Sequence, residues 1–187
     1  PVAAGLRSRG EVVLDALRMG DRARVRAYLF ALASHEYAPF NLLYGDGSAL
    51  HVAYARGARD LTIEVFEPGV VVLANDRVGA PEYPKTRRAE ALLVPSLGAP
   101  LPELRQTLRT LLGDHEKPPL EQIPKPPDGS IFPHALLREL TALCIHTETY
   151  GTRSSSLVVL GQGEVLAYEH AEGPPCTTPF VDFTSLV

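Results

Sequence analysis

Apolar residues recur at helical spacing near the start of the chain. Val13, Ala16 and Leu17 share one face after Gly10 and Glu11, and Gly20 ends the pattern. Asp21 is placed to cap a second helix, in which Val25, Tyr28, Leu29 and Leu32 recur. His35 to Pro39 breaks that pattern, and the period then falls to two. Residues 40–44 form a short apolar run before the turn signal Gly45, Asp46, Gly47. Leu50, Val52 and Tyr54 alternate with Ala49, His51 and Ala53. After a turn over residues 56–60, Leu61, Ile63 and Val65 alternate again. Pro68 and Gly69 mark another turn, and residues 69–74 are apolar on both faces, which predicts a strand covered on both sides. The expectation is an antiparallel meander of four strands, the last one deeply buried.

Helices return after Pro84, which suits a first helical turn, with Lys85 to Leu93 following it. Leu101, Leu104, Leu108, Leu111 and Leu112 mark an amphipathic helix closed by Gly113. Residues 117–133 are rich in proline and predict an irregular connector, followed by a short helix over residues 134–143. The end of the chain is β again. Ser156 to Leu160, the turn at Gly161 to Gly163, and Glu164 to Glu169 predict a hairpin, and Val181 and Phe183 a last short strand. Helices, strands, helices and strands in that order indicate an α+β layered fold rather than a parallel βαβ array. Residues 1–187 are expected to form a single domain, with 117–133 as a connector inside it.

Composition narrows the function classes. The 187 residues are 45% hydrophobic and 21% charged, which is ordinary for a globular chain. A net charge of −4 disfavours a nucleic-acid or anionic-membrane surface. No apolar run approaches the ~20 residues of a membrane span. Cys144, between Leu143 and Ile145, is expected to be a buried structural thiol, and Cys176 to lie in a loop. Two cysteines do not make a disulfide framework, so a reducing, cytoplasmic location is expected.

Candidate chemistry falls in two places. The apolar run ending at Ala74 changes abruptly to Asn75, Asp76 and Arg77. Asn75 could offer an amide to a developing oxyanion, or these residues could simply turn the chain. Residues 150–156, just before an apolar strand, concentrate hydroxyls, a glycine and a guanidinium. Tyr150, Thr152 and Ser154 are candidate ligand contacts. Arg153 could clamp a carboxylate or phosphate, or could pair with a core carboxylate. Lys85, Arg87 and Arg88 are expected to form a solvated face. No two histidines stand four apart on a helix, and the cysteines are not paired with histidines at zinc-like spacing, so no metal site is expected. No phosphate loop, dinucleotide fingerprint or nucleophile elbow occurs, and no cofactor is implied.

Several stretches together resemble the NRDE family, also called the Transport and Golgi organization protein 2 family. They are Arg7 to Glu11, Phe40 to Asp46, Leu73 to Asn75 followed by Pro84 to Arg88, and Tyr150 to Ser155 with the Gly161–Glu169 hairpin behind it. Position 74 is alanine where the family often has serine. The resemblance implies a four-layer αββα sandwich of N-terminal-nucleophile-hydrolase type. In the related bile-salt and penicillin V acylases, a cysteine at the mature N-terminus attacks an amide, assisted by an asparagine and an arginine. By that similarity Asn75 would be the oxyanion-side asparagine and Arg153 the substrate-side arginine. The family's Met-Cys start and Asn-Arg-Asp-Glu stretch do not occur here, so the nucleophile is expected in an upstream segment of the same gene product. Two functions follow. One is a cysteine amidohydrolase of non-peptide C–N bonds. The other is a non-catalytic binding or trafficking protein for a small hydrophobic or haem-like ligand, in keeping with the family's links to the secretory pathway, haem and mitochondrial lipid.

Overall fold

Ser8 starts the first helix, α1 (Arg9–Met19), its hydroxyl accepting the N–H of Gly10 at 3.2 Å. Gly20 ends α1 at φ 73°, a left-handed conformation that glycine adopts without a Cβ clash. Asp21 caps α2 (Arg22–Ala31) as expected, accepting the N–H of Arg24 at 2.9 Å. This computed structural model describes residues 5–56, 61–80, 84–126, 128–130 and 132–187. Residues 57–60 of the expected turn, and residues 127 and 131 of the connector over 117–133, therefore lie outside the described residues. The contacts divide the chain into two compact units, Pro1–Val78 and Gly79–Val187.

In the first unit, β1 (Phe40–Gly45), β2 (Leu50–Ala55) and β3 (Leu61–Phe66) form an antiparallel sheet in that order. Leu42 stands opposite Ala53, and Ala53 opposite Ile63, so these residues share one face. The two helices cover that face. Val12, Val25 and Leu29 are buried with Tyr37 and Ala53, and Phe40, Leu42, Leu61 and Ile63 pack against them. On the other face Asn41, Tyr54 and Thr62 form one cross-strand row.

The expected fourth strand is not formed. Residues 70–74 are irregular and only half-buried. The chain from Ala74 to Val78 is fastened instead to the polar cross-strand row. The amide of Asn41 donates to the carbonyls of Ala74 and Asp76, both at 3.0 Å. The N–H of Val78 donates to the Tyr54 hydroxyl at 3.2 Å, and Arg77 donates to Glu64 at 2.7 Å and Thr62 at 3.0 Å. Side chains of the sheet thus satisfy backbone groups that a ladder would otherwise take. Apolar composition predicted burial here but could not show which partner would take those hydrogen bonds.

In the second unit, α3 (Pro84–Leu93), α4 (Leu101–Leu112) and α5 (His134–Glu139) precede an antiparallel sheet of β4 (Ser155–Leu160), β5 (Val165–Ala171) and β6 (Val181–Asp182). The hairpin and the last strand match the sequence pattern, with a register shift at Val159 and Leu160. Leu157, Ala167 and Ala171 are buried, and Glu169 is buried beside them at 1% exposure. Two guanidinia from successive turns of α4 hold that carboxylate. Arg105 bonds one oxygen, and Arg109 donates to the other from Nε at 2.8 Å. The basic trio is not a solvated face. Lys85 donates to the carbonyl of Leu140 at 3.2 Å, and Arg88 pairs with Asp114 and, at 2.7 Å, with Glu116. Only Arg87 of the three is exposed. Among the described residues no helix is long and apolar enough to cross a membrane.

Candidate functional site

The first unit carries a cleft of about 560 Å³ at the outer edge of β1. Its lining includes Val12 and Val13 from α1, Phe40 and Leu42 from β1, and Leu73 from the irregular segment. Asn75 lines the same cleft, together with Arg9, Asn41 and Arg56. The Arg9 guanidinium donates to the carbonyl of Pro39 at 3.3 Å, a neutral partner, and makes no ion pair among the described residues. Arg56 lies over the Tyr54 ring at 5.5 Å and pairs with Asp76 at 3.4 Å, so its charge is already partly met. Asn41 commits its amide nitrogen to two carbonyls, and its buried oxygen has no partner among the described residues. Apolar walls with a few placed polar groups are what a small-molecule site requires. Among the described residues its lining holds no cysteine, serine, threonine or histidine.

The segment 150–154 belongs to the second unit. Tyr150 is 60% exposed, and its backbone closes a turn with Thr147, whose hydroxyl accepts its N–H at 2.9 Å. Gly151 pairs with His146 in an antiparallel bridge. A Cβ at Gly151 would stand 2.7 Å from the carbonyl oxygen of Ile145, so only glycine permits this approach. Thr152 completes the clip: its N–H donates to Ile145 O at 2.9 Å, and its hydroxyl accepts the N–H of Ile145 at 3.0 Å. Arg153 and Ser154 are exposed, and Arg153 makes no ion pair among the described residues. The core-carboxylate role weighed for Arg153 is filled by Arg105 and Arg109 at Glu169.

A family model described as Transport and Golgi organisation 2 matches residues 1–172. The chain belongs to the Transport and Golgi organisation 2 family. No curated protein matches it. Every stretch that carried the resemblance lies inside the matched span, from Arg7 to Glu11 through to the Gly161–Glu169 hairpin. Asn75 and Arg153 are therefore both positions within the Transport and Golgi organisation 2 span, Asn75 in the first unit and Arg153 in the second.

Sequence reasoning did not single out the two arginines of the cleft. Arg9 stood inside the Arg7–Glu11 stretch at the start of a helix and Arg56 directly after a strand, so an element boundary was the signal available for each. It also gave no hint that Cys144 and His146, carried by the clip, meet His115 and Cys176. Their four ligand atoms lie within 4.8 Å of one another. Burial of Cys144 and a loop position for Cys176 are as the sequence predicted.

Proposed function

We propose that this Transport and Golgi organisation 2 protein binds a small, largely apolar molecule bearing an anionic group, of which haem is one example, in the cleft of the first unit. The observation that carries this reading is the composition of that cleft: Val12, Val13, Phe40, Leu42 and Leu73 form its walls, with Arg9 on a neutral partner and Asn75 beside them. Its volume of about 560 Å³ lies within the usual range of ligand sites. Apolar walls take the body of such a molecule out of water, and the Arg9 guanidinium and the Asn75 amide meet its charged and polar ends.

Haem titration of the purified protein, followed at the Soret band, tests this directly. A saturable shift is expected, and absence of one removes haem as the ligand. Arg9→Glu is expected to weaken binding by about tenfold or more, since reversing one partly desolvated charge contact is worth at least ~1.4 kcal/mol. Val13→Trp, at a half-exposed position on the cleft wall, should block binding without altering the melting temperature.

The amidohydrolase reading uses the same Asn75 as an oxyanion donor, Arg153 as a substrate-side guanidinium and Tyr150, Thr152 and Ser154 as ligand contacts, with a nucleophile from an upstream segment. Labelling of the whole gene product by a thiol-directed acylating probe would favour it, and failure to label would leave binding as the function. The helix–strand–helix–strand order and the antiparallel pairing within each unit are α+β, the class to which an αββα sandwich of N-terminal-nucleophile type belongs.

A further inference from the structure

Three separate loops of the second unit bring metal-ligand chemistry to one point. His115 follows α4, Cys144 and His146 lie between α5 and β4, and Cys176 lies between β5 and β6. The two sulfurs stand 3.8 Å apart, far beyond the ~2.05 Å of a disulfide. Two thiolates on one tetrahedral Zn²⁺, each at about 2.3 Å, would stand roughly 3.8 Å apart. His146 Nε2 is 3.0 Å from Cys176 Sγ, and the ligand atoms of all four side chains lie within 4.8 Å of one another. We infer that His115, Cys144, His146 and Cys176 form a structural Zn²⁺ site.

The surroundings prepare each ligand. His115 Nδ1 is 2.9 Å from the carbonyl oxygen of Cys144. A carbonyl can only accept, so Nδ1 carries the proton and Nε2 keeps its lone pair for the metal, the usual outer-shell arrangement of a ligating imidazole. The His115 loop is anchored by Arg88, which pairs with Asp114 and Glu116 on either side of it. The N–H of Cys144 donates to the carbonyl of Asp114 at 2.8 Å, joining two of the loops through backbone. The Gly151–Thr152 clip fixes Ile145 between the two ligands Cys144 and His146. Cys176 sits in a turn in which the N–H groups of Thr177 and Thr178 donate to the Pro174 carbonyl at 3.0 and 2.9 Å.

Two sulfur and two imidazole-nitrogen donors select zinc over hard cations. Four protein ligands leave no position for water or substrate, so the ion is a staple and not a catalyst. Binding is a proton exchange: Zn²⁺ takes two thiolates and two neutral imidazoles, and two thiol protons pass to solvent, leaving a neutral site. Cys176 lies beyond the residues matched by the family model, so the complete ligand set belongs to this chain and not to the matched span. This inference is independent of the cleft in the first unit.

The test uses the whole chain without a polyhistidine tag, fully reduced. Elemental analysis is expected to find one zinc per chain. Replacement by Co²⁺ should give thiolate-to-cobalt charge transfer with the intense d–d bands of a tetrahedral ion. Cys176→Ser should weaken zinc binding by more than the ~10–100-fold that loss of an outer-shell partner costs. If that variant fails to fold, the unaltered chain still decides the matter, because bound zinc should protect both thiols from alkylation. Chelation should lower the melting temperature of the reduced protein. A folded, reduced chain that takes up no stoichiometric zinc, or a Cys176→Ser chain that binds zinc as tightly as the parent, would overturn the inference. So would a Cys144–Cys176 disulfide recovered under the same reducing conditions.

Discussion

Glu169 shows how much a single buried charge depends on its partners. It is 1% exposed and is held by Arg105 and Arg109, whose side chains remain 27% and 37% exposed. Glu169→Ala would leave two guanidinia facing a site that still excludes water on one side. The expected loss is about 3 kcal/mol in urea denaturation, the low end for a broken buried pair because both arginines keep some solvent. Arg7→Ala, which removes exposed pairs with Glu11 and Glu36, should shift the urea midpoint far less than Glu169→Ala does. His51 gives a pH signature at this scale. It is buried, both ring nitrogens lack partners among the described residues, and burial, aided by Arg22 and Arg26, holds its pKa below the ordinary value. The unfolded chain therefore binds a proton that the folded chain refuses. Stability from this group is complete above the ordinary imidazole pKa of ~6.5 and declines as pH falls below it. Asp114, held down chiefly by Arg88, acts only at lower pH, as the solution falls through its depressed pKa. His51→Phe should remove the first decline and spare the second, as read by denaturant midpoints against pH.

At the scale of elements, the segment after β3 is the instructive case. Its apolar residues promised a fourth strand, but its last residues bond to side chains of Asn41, Tyr54, Thr62 and Glu64. Tyr54→Phe removes an acceptor from the Val78 N–H and a donor to Glu64 while leaving the ring in place. Amide exchange at Val78 should accelerate, and stability should fall by about 1–2 kcal/mol, the range for buried groups left unpaired. The second unit holds the counterpart in its clip at Ile145. Gly151→Ala places a Cβ against a backbone carbonyl that cannot swing away, and a cost of about 1–3 kcal/mol is expected in thermal denaturation. Because Cys144 and His146 flank that clip, the same substitution should also weaken zinc uptake.

For the whole molecule, the two units carry separate chemistry: an apolar cleft whose Arg9 guanidinium has no ion pair among the described residues in one, and a convergence of thiols and imidazoles in the other. The predicted outcomes separate accordingly. Haem binding should survive chelation of zinc, and Cys176→Ser should leave the Soret titration unchanged. Arg9→Glu should abolish or weaken the Soret response without altering metal content. The family motifs were legible because each is local, a few consecutive residues at an element boundary such as Leu73 to Asn75 or Tyr150 to Ser155. Neither the cleft nor the metal ligands are local. Arg9 and Asn75 come from opposite ends of the first unit, and the four metal ligands span residues 115–176.

By itself the sequence determined the alternation of helices and strands, the cap at Asp21, the turn at Gly20 and the hairpin after Leu160, because each depends on periodicity or on one residue's own backbone preference. Family membership was legible for the same reason. The tertiary structure decided where hydrogen bonds and charges were satisfied. It turned an apolar run into a tethered segment, two surface-like cations into anchors, and four scattered side chains into one site. Burial and pairing depend on what arrives from elsewhere in the chain, and linear spacing carries no record of that.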